Sequence, residues 1–125
     1  MRRIRVLIAD DHRLFSEALQ AILGGDERID VVGCAGNGGE AVELARELKP
    51  DVVLMDVSMP LLSGVEATRA VRAASEETKV VMLTGSNSRA DVDGSRDAGA
   101  AAYVTKDQIA SDLIDAILAV AAGGG

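Results

Sequence analysis

The chain of 125 residues has one cysteine, one histidine, one tyrosine, one phenylalanine, two prolines and no tryptophan. A lone Cys34 excludes an internal disulfide, and a single histidine leaves no cysteine–histidine spacing for a zinc site. Such cysteine usage fits a reducing, cytoplasmic compartment. Cys34 sits in an apolar segment, where a free thiol behaves as a small hydrophobe, so a buried, inert thiol is expected. No apolar run approaches the ~18 residues of a membrane span. Met1-Arg2-Arg3 leads into a β-branched run and not into a signal-peptide core. Acidic residues outnumber basic ones by 20 to 13, a net charge of −7 that argues against gripping nucleic acid through a basic surface. Aromatics are 2% of a chain that is 48% hydrophobic, so Val, Leu, Ile, Ala and Met must build the core.

What is present is an alternation. Ile4 to Ala9, Ile29 to Ala35, Val52 to Met55, Val80 to Leu83 and Ala101 to Val104 read as five strands. The first, third and fourth are almost continuously apolar, as strands covered on both faces must be. Between them Leu14, Phe15, Ala18, Leu19, Ile22 and Leu23 recur at the spacing of a helix face. So do Ala41, Leu44, Ala45 and Leu48, then Val65, Thr68, Val71 and Ala74, and last Ile109, Leu113, Ile114, Ile117 and Leu118. Asn37 with Glu40 and Ser63 with Glu66 have the spacing of capping boxes, and Asp107 can cap the final helix. Gly24-Gly25 ends the first helix and Lys49-Pro50 the second. Five βα units predict an α/β domain: a parallel sheet with right-handed crossovers and helices on both faces. The helix expected from Ser88 to Ala98 is the weak unit. It offers only Val92 and alanines to a core, and Gly94 costs about 1 kcal/mol against alanine.

Charged residues stand where the apolar runs stop: Asp10 and Asp11, then Asp56, then Lys106, with Thr84 ending a fourth run. In a parallel sheet those ends share one edge, so three carboxylates meet one ammonium there. Each carboxylate raises the cost of ionising the others. A hard divalent cation relieves that repulsion, and carboxylates beside a hard cation and a lysine suit phosphoryl chemistry. The bland alternatives are an aspartate capping a helix and an ordinary surface lysine. Two adjacent aspartates plus a third at an equivalent strand end fit them poorly. His12 opens a helix beside the carboxylates and is expected to be a solvated first-turn residue.

The sequence resembles the receiver domain of two-component response regulators over essentially its whole length, Ile4 to about Ala122. The matching pieces are Val-Leu-Ile-Ala-Asp10-Asp11-His, Asp56-Val-Ser-Met-Pro60, Gly64-Val-Glu-Ala-Thr-Arg, Val-Val-Met-Leu-Thr84 and Ala98-Gly-Ala-Ala-Ala-Tyr103-Val-Thr-Lys106. Within the family it is most similar to receivers that precede a LuxR-type helix-turn-helix. The resemblance implies a flavodoxin-like doubly wound (βα)5 three-layer sandwich with strand order 2-1-3-4-5. It implies a phosphoryl group accepted on Asp56 from a sensor histidine kinase, with Lys106 neutralising charge and Thr84 donating its hydroxyl. Tyr103 would be the aromatic that turns inward with Thr84. Mg²⁺ would be bound by Asp11 and Asp56, by Asp10 through water, and by the backbone carbonyl of Ser58, with Met59-Pro60 shaping the loop. Such a protein is a switch more than an enzyme, with intrinsic autophosphorylation and autodephosphorylation. The resemblance also brings in a homodimer on phosphorylation, and DNA contact only through a C-terminal effector domain absent from this chain. The expected organisation is a receiver domain over residues 1–122 and a glycine tail or linker start at 123–125.

The rival from another class is a dinucleotide-binding module. Gly36-Asn37-Gly38-Gly39-Glu40-Ala41 has the G-x-G-x-x-A form after a strand, with acidic Asp56 further on. It follows the second strand, not the first, and leaves Asp10, Asp11 and Lys106 without a role. The bland reading of the same glycines is an Asn37 helix cap.

Overall fold

Continuous aliphatic runs become strands that no water reaches. A computed structural model describes residues 3–57, 64–85 and 96–122. In it β1 (Ile4–Ala9), β3 (Val52–Asp56) and β4 (Lys79–Thr84) occupy the middle of one sheet. The side chains of Val6 to Ala9, Val52 to Met55 and Val80 to Leu83 are fully buried. β2 (Ile29–Ala35) and β5 (Ala102–Thr105) form the edges. All pairings are parallel, and the order is β2-β1-β3-β4-β5.

Alternation along the buried strands splits the core in two. Val6, Ile8, Leu54, Val81 and Leu83 face α1 (Arg13–Gly24) and the last helix, α4 (Ile109–Ala121), through Leu19, Leu23, Ile109, Leu113 and Ile117. Leu7, Val53, Met55, Val80 and Met82 face α2 (Gly38–Leu48) and α3 (Gly64–Ala74) through Ala41, Ala45, Ala67 and Val71. Small alanines bring α2 and α3 close to the sheet, which is how a core without large aromatics closes. The pattern predicts the parallel sheet with helices on both faces, and the doubly wound order is the one the resemblance implies.

Several local expectations are corrected. Leu14 shares the helical spacing of Leu19 and Leu23 yet is 82% exposed, while Ser16 is buried in its stead. The stripe on α1 is therefore narrower than its apolar residues suggest, and Ile22 is also exposed. Cys34 is exposed, not buried. It lies on an edge strand whose register shifts between Val6 and Leu7, where Val31 and then Gly33 are paired. Asp107 does not cap α4. It lies in a 3-10 turn, Lys106–Gln108, and α4 starts after Gln108 with no side-chain cap. β4 begins one residue earlier and ends one later than the apolar run, β3 includes Asp56, and β5 is shifted one residue onward.

Asn37 does cap α2: its Oδ1 accepts from the Glu40 N–H at 2.8 Å. Glu40 reaches back one residue beyond the usual box, its Oε1 accepting from the Gly36 N–H at 2.9 Å. The Gly36 and Glu40 N–H groups, two donors that a pyrophosphate would use, are taken by these side chains, which counts against the dinucleotide reading of Gly36, Gly38 and Ala41. Lys49 closes α2 in the left-handed region at φ 48. Arg5 Nη1 donates to the Leu48 and Lys49 carbonyls at 2.7 and 3.1 Å, satisfying acceptors left over at the helix end. The proposed Ser63 cap and most of the Ser88–Ala98 helix lie outside the described residues. Residues 96–98 form the described last helical turn there, followed by Gly99 at φ 104.

Candidate functional site

Strand register assembles the site. Ala9 pairs with Met55, so Asp10, the next residue, comes level with Asp56 at the end of β3. Thr84 pairs with Thr105, so Lys106 emerges one step beyond them on the same edge. Asp10 and Asp56 are 3% and 2% exposed, Thr84 3%. Lys106 Nζ stands 3.5 Å from Asp10 Oδ2 and 3.5 Å from Asp56 Oδ2, shared between two buried carboxylates. The ammonium also lies 4.5 Å from the centre of the Phe15 ring, a cation–π contact reaching over from α1.

The acidic cluster extends outward. Among the described residues, ligand atoms of Asp10, Asp11, His12 and Asp56 come within 4.8 Å of one another. Asp10 Oδ1 accepts from the His12 backbone N–H at 2.8 Å, fixing the turn into α1. Asp10 Oδ2 is buried and accepts no hydrogen bond. His12 is the solvated residue expected, its side chain 69% exposed, though it sits at the cap position with Nδ1 3.2 Å from Asp11 Oδ1. A surface cavity of about 320 Å³ lies alongside, lined by Asp10, Asp11, Ser16, Cys34 and Gly36 among others. The larger depression, about 630 Å³, opens near Ile4, Lys79 and Val120 at the other end of the strands and has no part in this chemistry.

Three carboxylates against one ammonium leave an excess of two negative charges in a pocket whose inner wall is dry. Burying like charges this way is unfavourable unless a cation completes the set. The donors are oxygen atoms from carboxylates, with a buried Asp10 oxygen that accepts no hydrogen bond, which suits a hard divalent ion. Ser58, whose carbonyl was expected to join, lies outside the described residues. Tyr103, 42% exposed on β5, is paired with Met82, on the face that also carries Thr84. The register thus makes Thr84 and Tyr103 diagonal neighbours. Gly64 is the close-packed point beneath the site: a Cβ there would meet the Asp56 carbonyl oxygen and come 2.7 Å from Val57 Cα.

Residues 6–118 match the family model described as the response regulator receiver domain. The chain belongs to that family. It is 39% identical over 121 residues to the transcriptional regulatory protein LnrK of Bacillus subtilis (strain 168), covering 97% of this chain and 55% of LnrK. It is 42% identical over 120 residues to the response regulator GacA of Pseudomonas aeruginosa, covering 96% and 56%. The chain therefore spans about half the length of the curated relatives it matches. Among solved structures, the receiver domain of a NarL regulator from Mycobacterium tuberculosis superposes with a TM-score of 0.93 at 33% identity, covering 98% of this chain and 99% of that one. The response regulator domain of Thermotoga maritima CheB gives 0.91 at 34%, covering 97% and 98%. This receiver domain thus has the fold that the resemblance implies. No described helix is long and apolar enough to cross a membrane.

Two residues at the site escaped sequence reasoning. Phe15 was read only as part of an apolar stripe, and nothing in its spacing signals a partner as distant in the chain as Lys106. Gly64 was visible in the family-like Gly64-Val-Glu-Ala-Thr-Arg stretch, without the reason that makes it a glycine.

Proposed function

We propose that Asp56 is the phosphoacceptor of this receiver and that its sensor histidine kinase supplies the phosphoryl group. The observation that carries this is Lys106 Nζ lying 3.5 Å from both Asp10 Oδ2 and Asp56 Oδ2 at the carboxyl edge of the sheet. An Asp56 oxygen forms the new O–P bond as the N–P bond of the donor phosphohistidine breaks, and the freed imidazole nitrogen keeps the electron pair and takes up a proton. Lys106 is already placed to neutralise the phosphoryl oxygens, and the buried Thr84 hydroxyl can turn to donate to one of them. Asp10, Asp11 and Asp56 would hold Mg²⁺, together with the Ser58 carbonyl. When bound, Mg²⁺ supplies charge neutralisation at the transferred group.

Phosphorylation adds roughly one negative charge to the site. Drawing Thr84 toward that charge opens space on the face it shares with Tyr103, and the Tyr103 ring moves in as the output. The protein acts as a cytoplasmic switch that phosphorylates and dephosphorylates itself slowly with small donors and water. The domain would occupy residues 1–122, with 123–125 a glycine tail or the start of a linker. The half-length match to transcriptional regulators supports an effector domain that contacts DNA, and phosphorylation would favour a homodimer. Incubation with acetyl phosphate and Mg²⁺ followed by intact-mass measurement should add one phosphoryl group to the wild type and none to Asp56→Asn. Undiminished labelling of the variant would sink the assignment.

A further inference from the structure

The ion pairs of Lys106 leave a question of aim. At 3.5 Å from each carboxylate oxygen, the ammonium is too far for a good hydrogen bond to either, which forms at about 2.7–2.9 Å. A lysine ends in a flexible four-carbon stem with a strongly hydrated head, and this side chain is still 25% exposed. The two carboxylates attract the ammonium, yet neither holds it at hydrogen-bond distance to fix the direction of its N–H groups. Among the described residues, the Phe15 ring also faces this ammonium, its centre 4.5 Å from Nζ.

Phe15 is placed for this by its helix. It occupies the third position of α1, and helical side chains lean toward the N-terminus, here toward the sheet's carboxyl edge. It is half-buried and packs against the core cluster that includes Leu19 and Leu113, which restricts its ring. A ring face attracts an ammonium through its quadrupole without claiming any N–H. Fixed attraction of that kind orients the ammonium and leaves its three protons for other acceptors.

We propose that Phe15 is a positioning residue: its ring face holds the Lys106 ammonium between Asp10 and Asp56, aimed for an incoming phosphoryl group. The proposal rests on the Asp56 reading above, and it assigns α1 a part in preparing the site. Because the ring orients the lysine before the phosphoryl group arrives, losing its electrostatics weakens capture of that group, and the lost contact lowers the stability of the fold only slightly.

Phe15 is the only phenylalanine in the chain, so biosynthetic labelling with fluorinated phenylalanines alters this ring alone. Successive ring fluorines drain the quadrupole while keeping shape. The readouts are the affinity for beryllofluoride with Mg²⁺, standing in for the phosphoryl group on Asp56, and the Lys106 Cε and Nζ chemical shifts. Affinity should fall stepwise with each added fluorine, reaching roughly two- to five-fold for full loss of the cation–π attraction. Unfolding midpoints should fall only slightly across the series, too little to unfold the protein under the binding conditions. Phe15→Leu should match the most fluorinated ring and Phe15→Tyr should restore affinity, with the ring-current shift on Lys106 present in Tyr and absent in Leu. Equal affinity across the series, or a loss that tracks only the unfolding midpoint, overturns the proposal. No beryllofluoride binding by the unsubstituted protein would instead overturn the Asp56 reading beneath it.

Discussion

Single residues at this site answer to two constraints, charge and room. Charge was legible in advance, because Asp10, Asp11, Asp56 and Lys106 interrupt apolar runs and stand out as expensive to bury. Room was not. Gly64 shows why: its N–H donates to the Val57 carbonyl at 3.0 Å, bringing the start of α3 hard against the chain as it leaves β3. Alanine there would gain up to about 1 kcal/mol of helix propensity. It would also drive a methyl into Asp56 and Val57 backbone atoms, which cannot rotate aside as a side chain would. Overpacking typically costs about 1–3 kcal/mol, so the clash wins. Gly64→Ala should lower the stability read from urea unfolding by a net loss of up to about 2 kcal/mol, and slow acetyl-phosphate labelling of the still-folded fraction. Unchanged labelling at full folding would mean that the backbone of Asp56 tolerates a shift.

Elements were read well where both faces are buried and less well where one face is wet. β1, β3 and β4 emerge within about a residue of their expected ends, since a continuous aliphatic run has no other comfortable place. On α1 the same apolar letters mislead, because Leu14 points to solvent at a helix start beside the acidic site. Cys34 misleads in a similar way: an edge strand exposes residues that a central strand would bury. The turn from α1 into β2 carries chemistry that no pattern announces. The Asp26 side chain takes hydrogen bonds from Arg28 Nε and Nη2 at 2.9 and 2.6 Å and from the Arg28 backbone N–H at 2.9 Å. Foremost through that side-chain contact, Arg28 holds the Asp26 carboxyl down to about 2. A carboxylate held below its unfolded value stabilises the fold at pH values above about 4, and that contribution is lost as pH falls toward 2. A carbon-13 titration should place the Asp26 midpoint near 2 in the wild type and return it toward 4 in Arg28→Ala. A midpoint already near 4 in the wild type would show the pair to be absent in solution.

At the scale of the whole molecule, the arrangement sets stability against function. Both cores are dry and aliphatic, while the carboxyl edge of the sheet gathers three carboxylates, two of them paired with one lysine. Without a cation this edge works against folding, so a divalent ion that binds the folded site should stabilise the protein by linkage. At ten times its dissociation constant that is about 1.4 kcal/mol. For a domain of this length it raises Tm by about 4–7 °C. Asp10 separates charge from shape. Asp10→Asn keeps an oxygen to accept from the His12 N–H, and it removes one of three mutually repelling charges. Lys106 retains Asp56 as an ion-pair partner in that variant, so the loss on that side is small. The balance favours the neutral side chain when Mg²⁺ is absent, and the charged one when it is present. Melting curves with and without millimolar Mg²⁺ should therefore show Asp10→Asn melting at or above the wild type in chelator, and gaining little when Mg²⁺ is added. If Asp10→Asn melts below the wild type in chelator and still responds fully to Mg²⁺, the cluster is held together by its lysine alone, and the charge excess is not what the cation relieves.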